Sequence, residues 1–370
     1  MTAGESREAL MGKARRIVVK VGTNALTDAS GRLDEAFVGR LSGQIAGVLR
    51  GGLDVTLVSS GAIGAGMAEL DLPQRPRTLP LLQATAAVGQ GQLMRTFHDA
   101  FGRFGIKVAQ ILVTRDDFHD RTRYLNIRNT VRALADCYAL PIINENDTVS
   151  VDEIRFGDND LIAALVANMT DADVLVLLTD VDGLLREGRV VGELGRIDEE
   201  TLAGTGQAGK RGVGGMRSKL QAAGMVTGAG SAAVIANARA PRVLEALLAG
   251  ESLGTLCTPA RRRMSARRRW IGHAARTAGK VQVDGGAAEA LTRRGKSLLA
   301  SGVTDVVGRF AKGANVAIVT PDGRQIARGL TNYSADQMRR IVGLKSSQIA
   351  AVLGDKPYDE VVHRNNMTLS

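Results

Sequence analysis

Cysteine is nearly absent from this 370-residue chain, Cys137 and Cys257 being the only two. That excludes a disulfide framework and a cysteine-built metal site. The four histidines, His98, His119, His273 and His363, lack the close spacing of zinc ligands. Aromatic residues make up only 3%, so the core must come from Ala, Val, Leu and Ile, which suits helices packed on a parallel sheet. No apolar run reaches membrane-spanning length. The opening segment carries Glu5 and Glu8 without an apolar h-region, so it does not read as a signal peptide. A cytoplasmic protein with no membrane partner is expected. Two familiar phosphate motifs are missing as well. No G-x-x-x-x-G-K-[ST] sequence occurs, and the one G-x-G-x-x-G, Gly204–Gly209, follows the helical-looking Asp198–Ala203. A dinucleotide fingerprint needs a strand there, so this stretch reads as a loop.

What the chain does hold is a repeated arrangement. Four apolar runs rich in β-branched residues each end in a polar turn: Ile17–Thr23, Val55–Ala62, Leu140–Asp147 and Val174–Gly183. Such runs read as strands buried on both faces, and open α/β sheets bind ligands at the carboxyl ends of their strands. Val38, Leu41, Ile45, Val48 and Leu49 recur at helical spacing and predict a helix over 34–50. Further helices are expected over 78–104 and 122–138, from about Asp158 and from about Gly215, with strands over 107–113, 172–178 and 232–236. This alternation predicts an α/β fold, a mostly parallel open sheet sandwiched by helices.

Near residue 260 the pattern changes. Arg261–Arg263 and Arg267–Trp270 punctuate the chain, and short strand-like pieces follow at 279–283, 304–307 and 315–320. With helices around 286–294 and 334–342, they predict a small C-terminal β-rich module. The boundary is placed near residue 275, giving domains 1–275 and 276–370. Formal net charge is +10, and residues 256–300 hold eleven Lys or Arg against Asp284 and Glu289. A solvated surface, a basic interface and RNA binding are all open readings of that cluster.

The polar turns are the candidate site. Lys20 is either an edge lysine reaching solvent or a phosphate ligand at the end of a central strand. Ser59–Gly66 follows a strand and opens a helix, where backbone N–H groups can approach an anion. Asn144–Asp147 and Gly157–Asp160 are acid-amide clusters, readable as turns and helix caps or as partners for an ammonium group and for lysines. Gly212–Lys219 is glycine-rich and then helical, either a plain loop or a phosphate cradle with Lys219 as its point charge. No Ser-His-Asp order suggests covalent catalysis. Two lysines, glycine loops and acids suit direct phosphoryl transfer.

In this order, Val19–Thr23, Val58–Ile63, Asn144–Asp147, Phe156–Asp160, Thr179–Gly183 and Gly214–Lys219 resemble the glutamate 5-kinases of the amino acid kinase superfamily. The tail from Trp270, through Val283–Ala287 and Gly308–Phe310 to Asp336–Ile341, resembles the PUA domain that many bacterial members append. Val213 is the one departure, standing where members often carry Thr. The resemblance implies ATP-dependent phosphorylation of the L-glutamate γ-carboxylate, the first step of proline biosynthesis. It implies that Ser60, Asp147 and Asn159 bind glutamate, and that Lys20, Thr179, Asp180 and Val213, Gly214, Gly215, Met216, Arg217, Ser218 and Lys219 bind ATP. Lys20 and Lys219 would neutralise the transferring phosphoryl group, with Asp160 holding both lysines. Mg²⁺ would ride on the phosphates, L-proline would inhibit, and the enzyme would be a homo-oligomer. RNA binding by the PUA-like module is left open. The enzymatic rivals are acetylglutamate, aspartate, carbamate and nucleoside monophosphate kinases, and Asp147, a partner for a free α-ammonium group, separates glutamate from acetylglutamate. Every residue assigned to a substrate lies upstream of Arg267–Trp270, so the tail is expected to be dispensable for chemistry and residues 1–275 to fold alone.

Overall fold

The structure, a computed structural model, describes residues 6–28, 31–150, 159–203, 215–259, 264–355 and 358–369. Gly204–Gly209, Arg261–Arg263, Phe156–Asp158, Val213 and Gly214 lie outside the described residues. The chain divides into two compact units, Met1–Asp117 with Thr122–Arg263, and Phe118–Arg121 with Met264–Ser370.

Among the described residues, ten strands belong to the first unit: β1 Arg16–Val21, β2 Asp54–Val58, β3 Lys107–Val113, β4 Ala139–Glu145, β5 Val174–Thr179, β6 Leu185–Arg186, β7 Arg189–Val190, β8 Glu193–Leu194, β9 Ala232–Asn237 and β10 Thr255–Cys257. Eight of them form one sheet in the order β3-β4-β2-β1-β5-β9-β10-β8, and β6 and β7 make a separate hairpin. From β3 to β9 all neighbours run parallel, and β10 is antiparallel to β9. The expected mostly parallel sheet is therefore borne out. β1, β4, β5 and β9 are buried almost throughout, as their unbroken apolar runs require. Edge strand β3 is only half-buried.

Helices cover both faces. Glu35–Arg50 and Leu79–Gly102 pack against Ile17, Val19 and Val21 of β1 and Val174, Val176 and Leu178 of β5. On the other face, Asn159–Thr170 and Met216–Gly228 pack on each other and on the central strands. The helix expected over 122–138 runs from Arg121 to Asp136, because Tyr138 adopts a left-handed turn, φ 54°, before β4. Among the described residues no helix is long and apolar enough to cross a membrane.

The second unit is built on a six-stranded sheet of β11 Thr277–Val283, β12 Leu298–Leu299, β13 Val303–Gly308, β14 Asn315–Val319, β15 Gln325–Thr331 and β16 Glu360–Leu369, in the order β12-β16-β15-β14-β11-β13. Val281, Ile318, Met338 and Val361 lie in its core. Phe118–Arg121, far upstream in sequence, belong here as well. The Trp270 indole N–H donates to the Phe118 carbonyl at 3.1 Å, and the Arg121 guanidinium lies 4.8 Å above the Trp270 ring.

Candidate active site

Parallel strands bring their carboxyl ends to one edge of the sheet, and there the polar turns of the sequence gather. Lys20 is the next-to-last residue of β1, buried between β2 and β5. Ser59 and Ser60 leave β2 and are buried. The chain then turns through Gly61 at φ 94°, a conformation that glycine adopts without a Cβ clash, into the helix Ala62–Glu69. That helix crosses Leu79–Gly102 at two glycines. A Cβ on Gly66 would stand 1.8 Å from the Thr85 carbonyl oxygen, and one on Gly89 1.9 Å from that of Ala62. The two backbones therefore touch, and the turn carrying Ser60 is seated against the longer helix.

The helix Asn159–Thr170 begins at the same edge. Asp160 lies in its first turn, where the helix dipole favours a carboxylate. Lys20 Nζ stands 2.6 Å from Asp160 Oδ1 and Lys219 Nζ 3.2 Å from Asp160 Oδ2, all three side chains being buried. The Ser218 hydroxyl donates to Oδ2 at 2.8 Å. Burial pushes the Asp160 carboxyl up, but the Lys20 and Lys219 charges, with hydrogen bonds from Lys20 and Ser218, outweigh it and hold the group down at about 2. Burial lowers the Lys20 ammonium pKa, and Asp160 opposes that fall while Lys219 adds to it. Two ammonium groups on one carboxylate leave the trio with a single positive charge in a desolvated position, where it attracts an anion strongly.

Asn159 carries the next contacts. Its Nδ2 donates to Ser60 Oγ at 3.0 Å and approaches Asn144 Oδ1 at 3.4 Å. Asn144 Nδ2 donates to Gln90 Oε1 at 2.7 Å, which links the end of β4 to the long helix. Asp147 follows β4 and lines a cavity of about 310 Å³ with Gln90, Gln110, Asn146 and Thr148. Burial raises the Asp147 carboxyl to about 6, against the pull of the Arg75 charge.

At the end of β5, the Thr179 hydroxyl donates to Asp180 Oδ1 at 3.1 Å, and Asn24 Nδ2 to Oδ2 at 2.9 Å. Burial pushes the Asp180 carboxyl up, yet these bonds and the Lys219 charge bring it below the usual range. Gly215 caps Met216–Gly228 without a side-chain bond, Met216 is half-buried, and Arg217 is exposed. The structure thus brings Lys20, Asp160, Ser218 and Lys219 into direct contact, pairs Ser60 with Asn159, and joins Thr179 to Asp180. Asp147 stands on its own cavity wall.

Residues 15–237, more than half of the chain, match the amino acid kinase family. The chain belongs to that family. Residues 279–353 match the PUA domain. Among amino acid kinase relatives, the chain is 47% identical over 375 residues to the glutamate 5-kinase of Moorella thermoacetica, spanning 99% of each. It is 44% identical over 371 residues to that of Geobacter sp. (strain M21), spanning 98% of this chain and 100% of that protein. The structure of Giardia carbamate kinase superposes with a TM-score of 0.50 at 22% identity, covering 67% of this chain and all of that one, a likeness of fold. Sequence reading passed over Gln90, Asn24 and the Gly66–Gly89 crossing of this amino acid kinase. The crossing had a signal, glycines interrupting two otherwise helical stretches. Gln90 had none, because a glutamine in a helix reads as solvated.

Proposed function

We propose that the chain transfers the γ-phosphoryl group of ATP to the γ-carboxylate of L-glutamate, giving ADP and γ-glutamyl phosphate, the first step of proline biosynthesis. The observation that carries this reading is the convergence of Lys20 and Lys219 on Asp160, one residue from the Asn159–Ser60 pair. A cationic position for a phosphoryl group thus adjoins a polar position for an amino acid. In this reading Ser60, Asp147 and Asn159 hold glutamate, and Lys20, Thr179, Asp180 and the segment Val213–Lys219 hold ATP.

The γ-carboxylate is already ionised near neutral pH, so the reaction needs no general base. A carboxylate oxygen bonds to the γ-phosphorus as the bond to the ADP oxygen breaks, and negative charge spreads over the equatorial oxygens. Lys20 and Lys219 stabilise that charge, and Asp160 fixes both ammonium groups in place beforehand, so little reorganisation is required. Among the described residues no three His, Cys, Asp or Glu are grouped to hold a metal. Mg²⁺ is proposed to enter as the nucleotide's own ion. When bound, it would neutralise part of the phosphate charge.

L-Proline shares glutamate's α-amino-acid head but has no γ-carboxylate. It is proposed to compete at Ser60, Asp147 and Asn159 without being phosphorylated. A coupled ADP-release assay with glutamate, acetylglutamate, aspartate, carbamate and UMP tests the assignment. Glutamate- and Mg²⁺-dependent turnover is expected, with the acyl phosphate trapped by hydroxylamine as a hydroxamate. Equal or better turnover of acetylglutamate would overturn the reading.

A further inference from the structure

Gln90 sits in the helix Leu79–Gly102, one residue after the glycine that touches the neighbouring helix. Its amide orientation is fixed by a chain of bonds. The backbone N–H of Glu145 donates to Asn144 Oδ1 at 2.9 Å, so the Asn144 amide must present its Nδ2 to Gln90. Gln90 then has to accept through Oε1, which leaves its Nε2 as a donor. That Nε2 is buried and makes no hydrogen bond. Asn159 is fixed by the same logic. Its Nδ2 donates to Ser60 and Asn144, and its buried Oδ1 makes no hydrogen bond. Buried amide groups are rarely left unpaired, and those that are call for a partner.

The two unpaired atoms differ in kind, and both belong to side chains that bond to Asn144. Asn159 Oδ1 is an acceptor, and the Asp147 carboxyl, on the cavity that Gln90 also lines, is a second one. Gln90 is one of the residues in the wall of the cavity that Asp147 also lines, and its Nε2 is a buried donor. The other carboxylate on that wall, Glu145, already accepts from the Ser150 hydroxyl at 2.8 Å. An α-amino-acid head has the matching pair, an ammonium group for the acceptors and a carboxylate for the donor.

We infer that Gln90 is a further substrate-binding residue, its Nε2 donating to the α-carboxylate of the amino acid and so selecting for substrates that carry one. The inference rests on the glutamate reading above. The Gly66–Gly89 contact holds the donor in place, and the Oε1–Asn144 bond ties it to the residues that face the ammonium group.

Gln90→Glu is the informative substitution, because it keeps an acceptor for Asn144 and sets a negative oxygen where the donor stood. Glutamate KM should rise roughly 10- to 100-fold, the range for losing a bond to a charged group. ATP KM and kcat at saturating glutamate should stay within about 3-fold, since the α-carboxylate is remote from the reacting one. 4-Aminobutyrate, which is glutamate without its α-carboxylate, provides the control. Its strength as an inhibitor of glutamate turnover should change by less than about 2-fold. Gln90→Met, which keeps length and drops the donor, is the second variant, and cooperative thermal unfolding of each would be checked first. Unchanged glutamate KM in both variants, or 4-aminobutyrate weakening in step with glutamate, would overturn the inference. Wild-type protein inactive on glutamate would instead defeat the functional reading beneath it.

Discussion

Asn159 and Asp160 are consecutive, yet their side chains serve different partners. Asn159 reaches Ser60 and Asn144, and Asp160 reaches Lys20, Ser218 and Lys219. One peptide unit at the start of a buried helix therefore ties the proposed amino-acid position to the proposed phosphoryl position. The helix is buried along nearly its whole length, so neither side chain can shift far without repacking the core. Alignment of two reactants is worth much of a phosphoryl-transfer barrier, and here it rests on the first turn of a single element.

The two halves should separate in kinetics. Lys219→Ala removes a charge acting on the transition state, and kcat is expected to fall by about 10²–10⁴-fold. Asp147→Ala should mainly raise glutamate KM. Initial-rate kinetics with each substrate varied in turn would check both, and a Lys219 effect confined to glutamate KM would mean the loop is misplaced.

Asp160→Asn should be costly for stability as well as for activity. It leaves two buried ammonium groups without their carboxylate, a change that typically costs about 3–5 kcal/mol. Chemical denaturation should show the loss, and a variant as stable as the parent would contradict the buried trio.

Two carboxyls make opposite predictions for pH. Asp160 is held at about 2, below its ordinary 3.8, so its contribution to stability is complete above about pH 4 and is lost as pH falls towards 2. Asp147 is raised to about 6, so its charging on the folded protein costs stability as pH rises from about 4 to 6. Its ionised form is the one proposed to bind the ammonium group. kcat/KM for glutamate should therefore decline below about pH 6, and Asp147→Asn should abolish that limb while lowering the plateau. A pH-rate profile flat from 5 to 8 in the parent would remove Asp147 from this role.

Gly89→Ala and Gly91→Ala form a contrasted pair in one helix. A Cβ at Gly89 meets the Ala62 and Gly66 backbone, whereas one at Gly91 meets nothing within 4 Å. The first should destabilise by about 1–3 kcal/mol, as overpacking does. The second should be neutral or stabilising by up to about 1 kcal/mol, as expected when alanine replaces glycine in a helix. Thermal unfolding of both variants would check this, and equal effects would argue against backbone contact at the crossing.

Most of the first unit was legible because its strands are buried on both faces. Their apolar runs are unbroken, and each ends in the turn that carries polar residues. Lys20, Ser60 and Thr179 could be singled out for that reason, and Asp160 and Lys219 because an acid-amide cluster and a glycine-rich stretch each run into a helix. The second unit hid more. β16 reads Glu-Val-Val-His-Arg-Asn-Asn-Met-Thr-Leu, alternating buried and exposed stretches with polar residues too dense for a strand pattern, and it went unseen. β15, interrupted by Arg328 and Gly329, was missed for a similar reason. Gln90 and Asn144 escaped as a pair because their bond spans 54 residues of sequence. No local pattern records a contact made only when a helix lies across a sheet.

The placement of Phe118–Arg121 changes what counts as a module. The second unit is not one continuous stretch of the gene, because it takes four residues from between β3 and β4. Phe118, fully buried, and Arg121, stacked on Trp270, would be left behind by any graft or swap that treats 264–370 as self-contained. A fragment ending at residue 275 would make the reciprocal mistake, keeping those four residues and Trp270 but losing strands β11 to β16. Recombination between relatives at that junction would thus inherit a mismatched seam, and a chimaera joined there needs residues 118–121 and the tail drawn from the same parent.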